Sequence, residues 1–292
     1  MIISRIIGGL GNQMFQYAAG FRLSKKVQTE LKIDTSAFAT YQLHGLSIGN
    51  FCISATIASK ADTSPFTGQS SNQILEKLRR MVQAPTRRIP GFIHEPKFTF
   101  NPEILELTGG SIYLDGYWQS EKYFADVADD IRKEFIVANV PDEINRAMLA
   151  HIQATESVCL HIRRGDYIKN QQTNSVHGTI PLTYYHKALE YLRTKRNKLT
   201  LFIFSDDIEW VRQNFKTDFP MIFVDHNNPE KNYEDIRLMS TCKNHIIANS
   251  TFSWWGAWLS GYAQQIAIAP KRWFRTKDID SQDIIPSRWL KL

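Results

Sequence analysis

The pattern of hydrophobic and polar positions divides the chain into two halves of different regularity. A short apolar run at residues 2–7 precedes a glycine-rich turn, and apolar residues then recur at helical spacing between residues 14 and 23. A second apolar run, at residues 29–33, ends at Asp34. This succession predicts a strand, a helix and a second strand in a βαβ unit. From residue 38 to about 84 the periodicity is mostly poor, which indicates loops.

The second half of the chain is regular. Strands are predicted at residues 158–162, 199–204, 221–224, 245–248 and 265–269, and helices near 183–196, 208–216, 232–242 and 252–262; one further strand is predicted in the first half, at residues 111–114. Strict alternation of strands and helices predicts a parallel sheet with helices on both faces. We therefore expect a Rossmann-like domain in residues 151–292 and a looser version of it in residues 1–150. Ligands of such domains bind at the carboxyl ends of the strands.

One segment within the irregular region has helical periodicity. Its apolar residues fall on one helical face, and its basic residues lie off that face: Ile74, Leu75, Leu78, Met81 and Val82, with Lys77, Arg79 and Arg80. Such a helix fits a peripheral contact with an anionic membrane surface, such as the inner membrane, but an ordinary surface helix is the more common case.

The composition is that of a globular protein, with 43% hydrophobic and 22% charged residues. The formal charge of +6 is mild and the basic residues are scattered, which favours a small anionic ligand over nucleic acid. The cysteines are odd in number and widely spaced, so we expect reduced, buried side chains at Cys52, Cys159 and Cys242. No apolar run approaches the roughly 20 residues that span a bilayer, and the N-terminus lacks a signal-peptide core, so a cytoplasmic location is expected.

The first candidate site is the motif HIRRGDY at residues 161–167, directly after a predicted strand. Guanidinium groups pair bidentately with phosphate, and Gly165 permits close approach of the backbone, so Arg163 and Arg164 indicate a pyrophosphate site. If the strand's pleat continues, His161 and Arg163 point toward the same ligand. The alternative is a solvated turn with a surface ion pair between Arg164 and Asp166.

The second candidate site is the motif NSTFSWWGAWL at residues 249–259, again between a strand and a helix. Ser250 and Thr251 are suited to the start of a helix, where free N–H groups bind anions. Trp254 and Trp258 lie four residues apart on one helical face, which favours packing in the core over stacking on a ligand.

Two further motifs also lie at strand ends. In FSDD at residues 204–207, Asp206 or Asp207 is suited to accept hydrogen bonds from a guanine ring, or to cap the helix that follows. GGLGNQMFQYA at residues 8–18 imitates a dinucleotide-binding loop, but Met14 occupies the third glycine position. This loop is instead expected to bring Asn12 and Gln13 to the cleft as ligands of sugar hydroxyls.

Together these motifs resemble the bacterial α1,2-fucosyltransferases of glycosyltransferase family eleven, from Gly8 to Trp258. The resemblance implies an α/β fold of GT-B type with two facing Rossmann-like domains. Residues 1–150 would then be the acceptor-side domain, and residues 151–292 the domain that binds GDP-fucose. The implied reaction transfers L-fucose from GDP-β-L-fucose to the 2-hydroxyl of a terminal β-galactoside in an oligosaccharide or glycan acceptor.

The resemblance also implies roles for individual residues. Arg163 would bind the phosphates, with Arg164 beside it, and His161 would contact the donor. Guanine recognition would lie near Asp206 or Asp207, and Ser250 and Thr251 would contact phosphate.

Inversion at the sugar requires a single displacement, in which negative charge grows on the leaving phosphate. The Asp-x-Asp triplet at residues 278–280 has no apolar strand before it, so no metal and no cofactor are expected. Arg163 and helix N–H groups would stabilise the leaving group instead. For the general base, Asp166 and Asp115 are equal candidates and Glu95 is a third, although the family leaves room for no dedicated base. A non-catalytic nucleotide-sugar or glycan-binding module, in which Trp254 to Trp258 stack on sugars, is the alternative function.

Overall fold

The computed structural model of the chain describes residues 1–67, 90–165, 175–176, 178–276 and 278–292. Within these ranges the backbone forms two parallel sheets, one in each half of the chain. The amphipathic segment at residues 74–82 lies outside the described residues. In the part of the chain that the structure describes, no helix has the length and apolar character needed to cross a membrane.

The first half of the chain contributes a five-stranded sheet in the order β3-β2-β1-β5-β4, counted among the described residues. Its elements are β1 Ile2–Arg5, α1 Leu10–Lys26, β2 Leu31–Asp34, β3 Thr56–Ile57, α2 Lys60–Thr67, β4 Phe92–His94, β5 Ile112–Asp115 and α3 Ala128–Glu134. The predicted βαβ unit is confirmed, since β1 pairs in parallel with β2. The short strands β3 and β4 lack an apolar alternation long enough to be predicted from the sequence.

The second half contributes a six-stranded parallel sheet, again counted among the described residues. Its elements are α4 Glu143–Ala154, β6 Glu156–Ile162, α5 Leu182–Arg193, β7 Leu199–Ser205, α6 Ile208–Asn214, β8 Met221–Phe223, α7 Asn232–Thr241, β9 Asn244–Ile246, α8 Thr251–Trp258, β10 Ala267–Ala269 and β11 Leu290–Lys291. The strand order β8-β7-β6-β9-β10-β11 is the doubly wound order of a Rossmann fold. The predicted Rossmann-like character of this half is therefore confirmed.

Helix α4 connects the two halves. Its residue Ile152 is fully buried in a cluster with Cys159 and Phe202 of the second sheet. The expected domain boundary at residue 150 therefore falls inside a helix that packs on the second sheet.

The two halves share one hydrophobic core. Phe15 of α1 lies 4.4 Å from Trp254 and 4.9 Å from Trp255 of α8, measured between ring centroids. Each indole of α8 is buried and donates a hydrogen bond: Trp254 to the Ile284 carbonyl, Trp255 to the Gly11 carbonyl and Trp258 to the Glu121 carboxylate. The prediction that these tryptophans belong to the core is confirmed, and buried indoles offer no face for stacking on a sugar.

Two of the three predicted buried cysteines are buried, Cys159 and Cys242. The prediction was wrong for Cys52, which is exposed. Its neighbour Phe51 is buried and forms an isolated bridge with Val137, so that Cys52 lies outside the packed core.

Candidate functional site

The strand orders place a crevice at the carboxyl edge of each sheet. In the second sheet the chain leaves β6 in one direction and returns to β9 on its other side, so the crevice opens between these two strands. The described part of the first motif runs from the last two residues of β6 to Gly165, and the second motif, from residue 249, follows β9. In the first sheet the corresponding crevice lies between β1 and β5, above the glycine loop.

Asn12 joins the two crevices. Its Oδ1 accepts a hydrogen bond from Thr251 Oγ1 of the second half and another from Gln119 Nε2, which follows β5, each at 3.0 Å. The glycine loop approaches closely at the same point, because a Cβ added at Gly11 would lie 2.6 Å from the backbone nitrogen of Phe252. The carboxyl edges of the two sheets therefore meet at Asn12. This residue is partly exposed, and its contact with a sugar hydroxyl stays a prediction.

Gln13 does not have the position that the sequence predicted. Its side chain is fully buried. Its Nε2 donates to the carbonyls of Gly8 and Gly45, and its Oε1 accepts from the backbone nitrogens of Ser47 and Ile48. These bonds occupy both ends of the amide, so Gln13 connects two loops and has no atom facing a sugar.

Arg163 is held at the carboxyl end of β6 by Asp206, which follows β7. The Arg163 Nε atom lies 3.2 Å from Asp206 Oδ2, and the arginine side chain is 21% exposed. Asp206 Oδ1 also accepts from the backbone nitrogen of Arg164 at 2.8 Å. Burial raises the pKa of Asp206, but Arg163 and the N–H groups of Gly165 and Arg164 outweigh it and hold the pKa below its ordinary value. Asp206 thus fixes the loop after β6 and orients Arg163.

Gly165 allows this contact. A Cβ added at Gly165 would lie 2.9 Å from the Asp206 carbonyl oxygen. The sequence predicted that Gly165 gives a phosphate access to the backbone, whereas the structure shows close approach to Asp206.

Arg164 and Asp207 form a second pair beside the first. Arg164 Nε lies 3.3 Å from Asp207 Oδ2, and the guanidinium carbon lies 4.0 Å from the centroid of the Trp210 ring. Asp207 occupies the N-cap position of α6, but its side chain makes no capping hydrogen bond. Asp207 therefore has the predicted position at the start of the helix, but the interpretation that its side chain caps the helix was wrong. Asp166, the predicted ion-pair partner of Arg164, lies outside the described residues.

His161 lies behind the arginines and is 3% exposed. Its Nδ1 is 2.8 Å from Ser253 Oγ in the first turn of α8. Burial and the nearby Arg163 lower the pKa of His161 from its ordinary value to about 3. The imidazole is therefore neutral at neutral pH, and the positive charge at this edge comes from the arginines.

Helix α8 begins beside these side chains. The first turn of a helix has N–H groups without partners inside the helix, and these attract anions. Ser250 occupies the N-cap position and makes no side-chain capping hydrogen bond, while the Thr251 hydroxyl donates to Asn12. Both residues thus lie at the crevice between β6 and β9, with Thr251 also contacting the first half.

Asp115 lies at the carboxyl edge of the first sheet, at the end of β5. Its Oδ1 accepts from Arg5 Nη1 at 2.8 Å, and its Oδ2 lies 3.1 Å from His94 Nδ1. Each carboxylate oxygen therefore has one partner among the described residues. Arg5 and His94 were missed in the sequence, because neither lies in a recognisable motif and β4, which ends at His94, is too short to predict.

Glu95, the third base candidate, supports the loop after β5. Its Oε2 accepts from the backbone nitrogens of Tyr117 and Trp118 at 2.6 and 3.0 Å. Its Oε1 is buried with no hydrogen-bond partner among the described residues. Burial raises the pKa of Glu95 despite these two N–H groups. The loop that Glu95 holds presents Tyr117, 39% exposed and stacked on Phe98 at 5.9 Å between ring centroids.

Acidic residues do not gather into a metal site in the described part of the chain, where no group of three or more potential protein ligands occurs. Asp278 accepts a hydrogen bond from the Thr276 hydroxyl, and Asp280 accepts one from the Gln282 backbone nitrogen. Their carboxylates therefore make local turn contacts.

The sequence of residues 94–292 matches the model of the family Glycosyl transferase family 11. An alpha-1,2-colitosyltransferase of Escherichia coli is 34% identical, over 100% of this chain and 99% of that protein. The O-antigen biosynthesis glycosyltransferase WbnK of Escherichia coli is 33% identical, over 93% and 94% of the two chains. A galactoside 2-alpha-L-fucosyltransferase of Bos taurus is 26% identical, over 87% of this chain and 63% of that protein.

Solved structures of fucosyltransferases share the fold. The α-1,6-fucosyltransferase NodZ soaked with GDP-fucose superposes with a TM-score of 0.50 at 13% identity, covering 88% of this chain and 91% of NodZ. POFUT1 in complex with GDP superposes with a TM-score of 0.50 at 12% identity, covering 92% and 97% of the two chains. The predicted α/β fold of GT-B type, with two Rossmann-like halves, is thereby confirmed.

Proposed function

The chain belongs to glycosyltransferase family 11, and from this premise we propose that it transfers L-fucose from GDP-β-L-fucose to the 2-hydroxyl of a terminal β-galactoside. The reaction inverts the anomeric centre and uses no catalytic metal. Its product carries an α1,2 linkage.

The observation that carries the proposal is the support of Arg163 at the crevice of the second sheet. Asp206 holds the guanidinium group from one side, with Oδ2 at 3.2 Å from Nε. An arginine fixed before the ligand arrives needs no reorganisation when negative charge develops on the leaving diphosphate. The N–H groups at the start of α8, beside Ser250 and Thr251, supply a second source of positive potential at the same crevice.

The acceptor is proposed to bind at the carboxyl edge of the first sheet. Tyr117 presents an exposed ring stacked on Phe98, a rigid apolar surface suited to one face of a galactose ring. Asn12, whose Oδ1 contacts both halves, lies between this edge and the arginines and is available to hydrogen-bond a sugar hydroxyl.

The balanced reaction is a single displacement. The acceptor oxygen forms a bond to the anomeric carbon while the bond from that carbon to the β-phosphate oxygen breaks. GDP leaves with the electron pair, and the acceptor hydroxyl loses its proton to a base. Arg163 and the helix N–H groups would bind the diphosphate more strongly as its charge grows.

A second donor is favoured by the identity of 34% to a colitosyltransferase over the whole chain. Colitose lacks one hydroxyl of fucose, so a pocket selects between the two sugars by whether it provides a hydrogen-bond partner for that hydroxyl. The two candidates share the nucleotide and the α1,2 linkage and differ in the hydroxyl contacts to the sugar.

The test is to incubate the protein with GDP-fucose or GDP-colitose and a terminal β-galactoside. GDP release, product mass and the linkage by NMR are measured. We expect transfer from GDP-fucose with the sugar on the 2-hydroxyl. Transfer from GDP-colitose but not from GDP-fucose would show that colitose is the donor sugar. A 3-, 4- or 6-linked product would refute the proposal that the 2-hydroxyl is the acceptor. Binding of GDP-sugars without GDP release in the presence of acceptor would show a non-catalytic binding module.

A further inference from the structure

Asp115 is a poor general base as it stands in the structure. Arg5 Nη1 occupies one carboxylate oxygen at 2.8 Å, and His94 Nδ1 lies 3.1 Å from the other. These contacts use one acceptor site on each oxygen, and the Asp115 side chain is only 20% exposed, so an acceptor hydroxyl reaches it less readily than an exposed group. Glu95 is no better placed, because its Oε2 already accepts two backbone N–H bonds and its Oε1 is buried.

His94 presents a more exposed proton acceptor than Asp115. An ionised carboxylate only accepts hydrogen bonds, so the Nδ1 atom beside Asp115 must carry the proton in this contact. In the neutral ring the lone pair then lies on Nε2. The His94 side chain is 64% exposed, whereas that of Asp115 is 20% exposed. A substrate therefore reaches the histidine ring more readily than the carboxylate behind it.

The chain of contacts lies at the acceptor side of the cleft. Arg5, His94 and Asp115 are the last residues of β1, β4 and β5, and parallel strands bring these ends to one edge of the sheet. The loop after β5 continues from Asp115 through Tyr117 to Gln119, whose side chain contacts Asn12. His94 thus shares an edge with the residues proposed to hold the acceptor sugar.

We propose that His94 is the general base of the transfer reaction, with Asp115 and Arg5 as its positioning residues. This inference rests on the proposed function. As the acceptor oxygen bonds to the anomeric carbon, its proton passes to His94 Nε2, and GDP leaves with the electrons of the broken carbon–oxygen bond. Asp115 accepts the Nδ1 hydrogen bond and stabilises the imidazolium that forms. Arg5 keeps the Asp115 carboxylate in place.

The test compares His94→Ala and His94→Gln with the wild-type protein. Turnover is measured with donor and acceptor, GDP affinity by calorimetry, and folding by thermal unfolding. We expect turnover to fall by about 10² to 10⁴-fold in both variants with unchanged GDP affinity, because a general base contributes roughly that factor. The glutamine side chain can still donate to Asp115 but is not a base. Added imidazole should restore part of the turnover of His94→Ala, where it fills the vacated space, and none in His94→Gln.

His151→Ala is the matched control, since His151 is another exposed histidine, on α4 of the second half. It should keep wild-type turnover with and without imidazole. Near-normal turnover of a folded His94→Ala protein would overturn the assignment, and so would a loss that imidazole does not relieve, because that outcome indicates a structural role. Absence of GDP release by the wild-type protein with every donor and acceptor tested would instead reject the proposed function, and the base with it.

Discussion

The carboxyl edge of the second sheet presents two guanidinium groups, whereas the carboxyl edge of the first sheet presents a histidine, an aromatic ring and a carboxylate. At the second edge, Asp206 and Asp207 hold Arg163 and Arg164. At the first edge the arginine instead positions an aspartate: Arg5 forms an ion pair with the carboxylate of Asp115. The second edge therefore has two arginine–aspartate pairs side by side, whereas the first edge has one such pair beside an exposed histidine and an aromatic ring.

This difference suits two different ligands. A diphosphate is an anion and is best bound by preorganised cations and helix N–H groups. A sugar acceptor is neutral, and an aromatic face with a few polar groups binds it without a large desolvation cost. The two aspartates differ in their other partners: Asp206 also accepts a backbone N–H bond and so supports the loop after β6, while Asp115 contacts His94, which we propose as the base.

Apart from the loss expected for His94→Ala at the first edge, the largest expected effect is that of removing Arg163 at the second edge. Arg163→Ala should lower kcat/KM for transfer by about a hundredfold or more, because it removes a donor that binds the leaving phosphate most strongly in the transition state. Arg163→Lys should also lose much of this activity, since a point charge lacks the bidentate fork. Steady-state kinetics of the folded variants provides the measurement. Near-normal turnover in Arg163→Ala would contradict the proposal that the second edge binds the diphosphate through Arg163.

The contact between the edges should be sensitive to a single methyl group. Gly11→Ala places a Cβ against the backbone of Thr251 and Phe252, so we expect the free energy of unfolding to fall by roughly 1–3 kcal/mol. Urea denaturation would measure this loss. Gly49→Ala is the control, because its Cβ would have no neighbouring atom within 4 Å. Equal stability of the two variants would show that the edges are not tightly packed at this point.

A smaller effect is expected for the loss of one aromatic ring at the first edge. Tyr117→Ala removes the exposed ring that stacks on Phe98. An aromatic contact contributes about 1 kcal/mol, so the KM for the acceptor should rise roughly fivefold while donor affinity stays constant. Tyr117→Phe keeps the ring and should behave as wild type. A change in donor affinity, with the acceptor KM unaltered, would contradict the prediction that Tyr117 contacts the acceptor.

The smallest expected effect is that of metal removal. If arginines and helix N–H groups bind the diphosphate, EDTA should leave the rate of transfer unchanged. The rate before and after chelation is the measurement. Complete loss of activity, restored by manganese or magnesium, would contradict the assignment of charge neutralisation to Arg163.

The sequence by itself determined the elements that have local signals. The alternation of apolar strands and helices in the second half predicted its parallel sheet, because buried parallel strands need continuous apolar runs and helical crossovers. It also indicated that Arg163 and Ser250 lie at strand ends, and the buried, hydrogen-bonded indoles of α8 confirm the assignment of its tryptophans to the core. These features depend on residues near one another in the chain.

Only the tertiary structure decided which partner each polar side chain has. Gln13 was predicted as a sugar ligand, yet it is buried between two loops whose backbone groups it bonds. Asp166 and Asp115 were equal candidates for the base, and the sequence did not indicate His94, because Arg5 and His94 come from strands distant in sequence and meet Asp115 only when the sheet forms. The periodic pattern of apolar residues indicates whether a side chain faces the core or a cleft. Its hydrogen-bond partners depend on which strands become neighbours, and strand order is not encoded in the local sequence.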